Sequence, residues 1–181
     1  MKLAVAISLP PMPSSIGHGL ASVGVGWLAV RPAAPNRALT LQVALLAAIG
    51  IAPDLDLLIG RHSAETHSLG AAVLVASLAA WGMWPVAAGR WRIFAAVLLA
   101  WAIHPALDML ALDTSAPHGV MILWPFSREH FQTGLSTFTA ISRRYWMPGF
   151  VEYTVLAVLR EVAILAPLLA LIWWMRRPRS A

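Results

Sequence analysis

The stretch RIFAAVLLAWAIHPALDMLAL, residues 92–112, is long and apolar enough to cross a bilayer as one helix. About 20 such residues at roughly 1.5 Å each span the hydrocarbon core. Its ionisable side chains are Arg92 at one end and His104 and Asp108 toward the other. A chain built around such a segment belongs in lipid, and the composition agrees. Hydrophobic residues make up 59% and charged residues 12%, with a mean hydropathy of +0.71, outside the range of ordinary soluble domains.

Working outward, the stretches 39–59, 68–88 and 155–175 meet or approach the same length. A fifth, 16–30, is shorter and carries Gly17, Gly19, Gly24 and Gly26, small residues that let membrane helices approach closely. The pattern predicts an all-α integral membrane bundle of about five transmembrane helices, one domain over residues 1–181. Short connections at 31–38, 60–67 and 89–91 predict that consecutive helices are antiparallel neighbours. The segment 113–154, with Pro117, Pro125, Pro148 and several aromatics, predicts an interfacial or re-entrant structure before the last helix. Met1 to Leu9 is too short to span and lacks a small-residue cleavage site, so a short N-terminal segment is expected rather than a removed signal peptide.

The 13 Lys and Arg exceed the 8 Asp and Glu by five, and many stand singly or in pairs between apolar stretches. Loop basicity of this kind points to anionic lipid head groups as partners, and no nucleic acid is expected. With no cysteine there is no disulfide and no thiolate, so any metal must be held by nitrogen and oxygen.

If the five spans alternate in direction, the polar residues sort by membrane face. His18, Asp54, Asp56, His67, His104, Asp108, Glu152, Arg160 and Glu161 map to one face. Arg31, Arg37, Arg90, Arg92, Arg176, Arg177 and Arg179 map to the other. A charge at membrane depth costs about 2.5–3.5 kcal/mol on insertion scales, so such residues usually face the bundle interior and serve a function.

His104 and Asp108, four apart, share one helix face and suit either a shared ion or a helix-internal hydrogen bond. Asp54 and Asp56 follow Pro53, which disfavours helix at Ala52. In extended chain both would point the same way toward a cation; otherwise they are two solvated loop carboxylates. Thr66 fits an N-cap for the third span, placing His67 in its first turn. His18 alone would read as a packed core histidine, and gains meaning from its company. Together the three histidines and three aspartates form a nitrogen and oxygen ligand set for a divalent metal, one or two ions, with zinc, manganese and magnesium all open. Such ions polarise a phosphoryl oxygen or lower the pKa of a water to about 7.

His18 followed by small residues, Pro53-Asp54-Leu55-Asp56, Arg61 with Thr66-His67-Ser68, His104-Pro105-Ala106-Leu107-Asp108 and Leu123-Trp124-Pro125-Phe126-Ser127 together resemble a known family. It is that of the LexA-binding, inner-membrane-associated metal-dependent hydrolases, or YdjM-like proteins, and the similarity runs from about His18 to Ser127. The resemblance implies a small multi-span protein of the bacterial inner membrane that hydrolyses a substrate with bound metal. It implies ligand positions for His18, Asp54, His67, His104 and Asp108, with Asp56 a ligand or a partner behind one. Family members often have a shorter Arg-Gly-x-Thr-His-Ser turn; the longer loop here adds His62 and Glu65. Nothing in the sequence presents a LexA partner surface.

The function expected is hydrolysis of a phosphoester in a lipid or lipid-like substrate. Asp56 or Glu161 would manage the proton, and Arg61 or Arg143-Arg144 would hold the phosphate. The aromatics Trp124, Phe126, Phe131, Tyr145, Trp146 and Phe150 would suit an amphipathic substrate or form an ordinary interfacial belt. A protease lacks support, since there is no His-Glu-x-x-His helix, no Gly-x-Ser-x-Gly elbow and no cysteine. The alternative is a metal- or proton-binding transport component, and a purely structural protein is the third reading. Counting arginines against Lys2, Arg61, Arg128, Arg143 and Arg144 favours a cytoplasmic C-terminus and a site on the extracytoplasmic face.

Overall fold

The computed structural model describes residues 13–61, 63–82, 89–111, 117–138, 146 and 148–178. Helix α1, Ser15–Ala29, begins where the Ser14 hydroxyl accepts from the Gly17 N–H at 3.0 Å. Asn36 does the same for α2, Arg37–Ile51, accepting from the Ala38 N–H at 2.8 Å. At Ala52 the chain tightens into 3-10 turns, Ala52–Ile59, with Pro53 in the first turn, and Gly60 ends them at φ 70°. A short 3-10 turn, Glu65–His67, leads into α3, Leu69–Gly82; α4 runs Arg90–Met109 and α5 Phe150–Arg176.

Five α-helices form the bundle, and among the described residues there are only two isolated β-bridges, Ala111 with Phe138 and Val120 with Phe131. Among the described residues, three helical runs are long and apolar enough to cross a membrane: Arg37–Ile59, Arg90–Met109 and Phe150–Arg176. The helices of the first and third apolar stretches are shorter, 15 residues for α1 and 14 for α3, with 83–88 outside the described residues. Leu45, Leu58, Leu78, Val151, Leu159 and Trp174 lie exposed on the outside, as a surface facing acyl chains requires.

Helix neighbours depart from the expected order. α1 packs on α2 and α3 on α4, but α2 and α3 each pack on α4 rather than on each other, and α5 packs on α1. The connection after the 3-10 turns crosses the end of α4, where the Trp101 indole N–H donates to the Thr66 carbonyl at 2.8 Å. Hydropathy specifies helix length; it carries no information about lateral partners.

α1 lies between α2, α4 and α5, which its small residues make possible. A Cβ at Gly50 of α2 would overlap the Ser22 hydroxyl of α1. That hydroxyl donates to the Ala100 carbonyl of α4 at 2.9 Å, so three helices meet at one small contact.

The described part of the connection before α5 is irregular and covers one end of the bundle. The Leu69 and Gly70 N–H groups donate to the Ile122 and Trp124 carbonyls at 3.0 and 3.1 Å. At the end of α4, the Thr133 and Thr137 N–H groups donate to the Met109 and Leu110 carbonyls, each at 3.1 Å. Helix ends leave such groups without partners inside the helix, and this segment supplies them.

Candidate metal centre

Five side chains from four chain segments converge at the covered end. His18 comes from the first turns of α1, Asp54 from the 3-10 turns after α2, His67 from the turn before α3, and His104 and Asp108 from the end of α4. The three histidines are fully buried, and Asp108 is 5% exposed.

Their ligating atoms face one another. His104 Nε2 lies 3.1 Å from His67 Nε2, 3.5 Å from Asp54 Oδ1 and 3.3 Å from Asp108 Oδ2. His67 Nε2 lies 3.6 Å from both Asp54 Oδ1 and Asp108 Oδ2, and His18 Nε2 lies 3.3 Å from Asp108 Oδ1. The His18 and His104 rings stack with centroids 3.7 Å apart. Two ligand triplets have atoms all within 4.8 Å of one another: His18, Asp54 and His104, and His67, His104 and Asp108.

The backs of the rings fix which nitrogen carries the proton. His104 Nδ1 is 2.6 Å from the Gly50 carbonyl, which can only accept, so Nδ1 holds the hydrogen and Nε2 keeps its lone pair. His67 Nδ1 lies 3.1 Å from Asp56 Oδ2, a carboxylate that also accepts from the Thr66 hydroxyl at 2.8 Å. His104 thus turns a lone pair inward, and Asp56 orients the His67 ring from behind, as an outer partner does for a metal-bound histidine.

Such an arrangement could hold a cation. His18 Nδ1 and Nε2, Asp54 Oδ1 and both Asp108 carboxylate oxygens are buried without a hydrogen-bond partner. Unsatisfied buried polar atoms are costly and rare. Burial by itself pushes the His67 pKa down, but the carboxylates of Asp54, Asp56 and Asp108 outweigh it and raise the pKa to about 9. Among the described residues, the donor set suits a divalent metal on chemistry as well: three imidazoles and two carboxylates.

Two local expectations are corrected. Residues 52–59 form 3-10 turns instead of extended chain, and at three residues per turn positions two apart diverge. Asp54 and Asp56 therefore straddle His67, Asp54 toward Nε2 and Asp56 toward Nδ1. The cap of α3 is Ser68, whose hydroxyl accepts from the Ala71 N–H at 3.0 Å, while Thr66 turns to Asp56.

The remaining residues singled out from the sequence fall at the margins. Glu161 of α5 is fully buried, and its carboxylate accepts from both the N–H and the hydroxyl of Ser14, clipping α5 to the start of α1. A Cβ at Gly17 would run into that carboxylate at 2.6 Å. Arg61 pairs with Glu65 at 2.5 Å on the surface, and Glu152 is exposed. Lys2, His62, Arg143, Arg144, Tyr145 and Arg179 lie outside the described residues. Sequence reasoning missed the Gly50 carbonyl and Trp101 as supports. A main-chain acceptor leaves no mark in sequence, and an indole donor looks like any apolar aromatic.

The family model described as YdjM inner membrane protein matches residues 12–179, which takes in every helix and every converging side chain. No curated protein and no solved structure matches the chain.

Proposed function

This chain belongs to the YdjM inner membrane protein family, and from that premise we propose that it is a membrane-bound metal-dependent hydrolase acting on a phosphoester of a lipid or lipid-like substrate. The observation that carries the reading is the buried convergence of His18, Asp54, His67, His104 and Asp108, with five of their atoms lacking a hydrogen-bond partner.

His104 belongs to both ligand triplets and has one inward lone pair, so the two triplets describe a single ion. Three imidazoles favour zinc, with manganese next and magnesium last. When bound, a divalent ion supplies Lewis-acid polarisation of a phosphoryl oxygen and acidifies a water. Asp56 holds the His67 ring by Nδ1 and is the carboxylate nearest to hand for moving a proton at that atom. Arg61, exposed beside Glu65, serves phosphate capture from the surface. Glu161 serves by fixing the first turn of α1, and so the position of His18.

A conduction path would place ionisable groups at several depths. Beneath the cluster the bundle is filled instead by Val23, Trp27, Leu46, Ala96 and Ala100, which favours a site over a transport route. The arginine surplus at the far ends of the helices supports an extracytoplasmic site, and a C-terminal reporter active only outside the cytoplasm would reverse that orientation.

The test is turnover. Protein in detergent is expected to release phosphate from a panel of lipid phosphoesters in a metal-dependent manner, and His67→Ala and Asp108→Ala to lose that activity. Metal-dependent uptake into liposomes without product would support transport instead.

A further inference from the structure

A groove of about 540 Å³ runs between α3 and residues 122–126, which hold the Trp-Pro-Phe segment that the His/Asp cluster does not use. Its lining includes Leu69, Val73, Leu74, Ser77, Trp124 and Phe126. It starts at Leu69, two residues after His67, and Trp124 forms its wall by accepting from the Gly70 N–H. That wall depends on glycine: a Cβ at Gly70 would collide with the Trp124 carbonyl.

We propose that this groove seats one acyl chain of the lipid whose polar head reaches the His/Asp cluster. The proposal rests on the reading of that cluster as a hydrolytic centre and names where its substrate's tail lies.

Three observations commit the groove to hydrocarbon. Its lining is almost wholly apolar, and the hydroxyl of its serine, Ser77, already donates to the Val73 carbonyl at 2.7 Å, so a peptide would find little to bond. The groove is continuous with the lipid-facing side of α3, where Val73, Leu74 and Leu78 are exposed. From Leu69 to Ser77 the helix rises about 12 Å, at 1.5 Å per residue. That approaches half of a hydrocarbon core ~30 Å thick, the depth of a single leaflet. A chain entering at the interface beside His67 would reach the groove's far end within its own leaflet.

The experiment uses the full chain in phospholipid vesicles doped with a long-chain lipid phosphomonoester carrying a mid-chain diazirine. After photolysis, labelling is mapped by mass spectrometry on peptides from α3 and 122–126, with the lipid-exposed α5 as internal reference. Labelling concentrated on the groove is expected, and Val73→Trp should lower it to the level seen on α5, because the added indole fills the space the chain would occupy. Val73→Trp should also slow phosphate release from the long-chain lipid while sparing a short-chain, water-soluble phosphoester. Equal labelling of α3 and α5, unchanged by Val73→Trp, would overturn the groove while leaving hydrolysis standing. A stable dimer of the full chain in detergent, dissociated by Val73→Trp, would overturn it too, by assigning the groove to a second copy. Groove labelling without phosphate release from any substrate would sink the hydrolase reading alone.

Discussion

The two ends of this bundle are built from the same helices and treat polar groups in opposite ways. At the arginine end, Gln42 of α2 accepts from the Trp27 indole at 3.3 Å and from the Ala33 N–H at 2.9 Å, and donates to the Arg31 carbonyl at 2.9 Å. Arg176 of α5 donates to the Trp27 carbonyl at 3.0 Å, tying the end of α5 to the end of α1. These polar side chains close off chain ends. At the opposite end, two histidine nitrogens face each other and five buried side-chain atoms go without a hydrogen bond. Polar groups that serve folding satisfy one another; the groups left unsatisfied together here are ones that could hold an ion.

The contrast breaks most readily at the converging side chains. Asp108→Ala and His104→Ala are each expected to weaken metal binding by well over the roughly 10–100-fold that loss of an outer partner costs. Retention of wild-type affinity, read by competition with a chelator of known strength, would make the cluster an ordinary polar core. Asp56→Ala sharpens the picture, since Asp56 touches the back of His67. Metal affinity should fall by about 10–100-fold while saturating metal still restores full occupancy. Complete loss of occupancy would put Asp56 among the direct ligands.

A smaller effect comes from pH. In the metal-free protein His67 has its pKa raised to about 9 by Asp54, Asp56 and Asp108 against the opposing pull of burial, so it is protonated at neutral pH. An ion must displace that proton. Apparent metal affinity should therefore rise with pH, by roughly tenfold per unit below about pH 9, and level off above it. A flat profile between pH 6 and 8 would place the proton elsewhere.

At the arginine end, Gln42→Ala should leave metal content unchanged. It should lower thermal stability by about 0.5–1.5 kcal/mol, the net contribution of hydrogen bonds at a partly exposed site to the Ala33 N–H and the Arg31 carbonyl. A change in metal affinity there would erase the distinction between the ends.

Much of this was legible in the sequence, for identifiable reasons. Runs of apolar residues set the helices, so five helices and the common end where His18, Asp54, His67, His104 and Asp108 meet could be read from residue order. The i, i+4 spacing of His104 and Asp108 placed that pair on one helix face, where the two side chains approach to 3.3 Å. What escaped was lateral and local. Nothing in hydropathy places α4 between α2 and α3. After Pro53 both extended chain and 3-10 turns are sterically open, and the choice decided that Asp56 backs His67 instead of joining Asp54. Between Thr66 and Ser68 either hydroxyl could cap α3; Asp56 draws Thr66 away. Glu161 could be placed at the right face from sequence, but its partner, Ser14, lies 147 residues away.

The central claim is that the His/Asp end of the bundle holds a divalent metal, and the most direct measurement is elemental mass spectrometry on protein purified gently in detergent without chelators. The account predicts about one ion per chain, zinc foremost, in wild type and in Gln42→Ala, and its loss in His67→Ala and Asp108→Ala. Wild type without stoichiometric metal, or those two ligand variants retaining it in full, would contradict it.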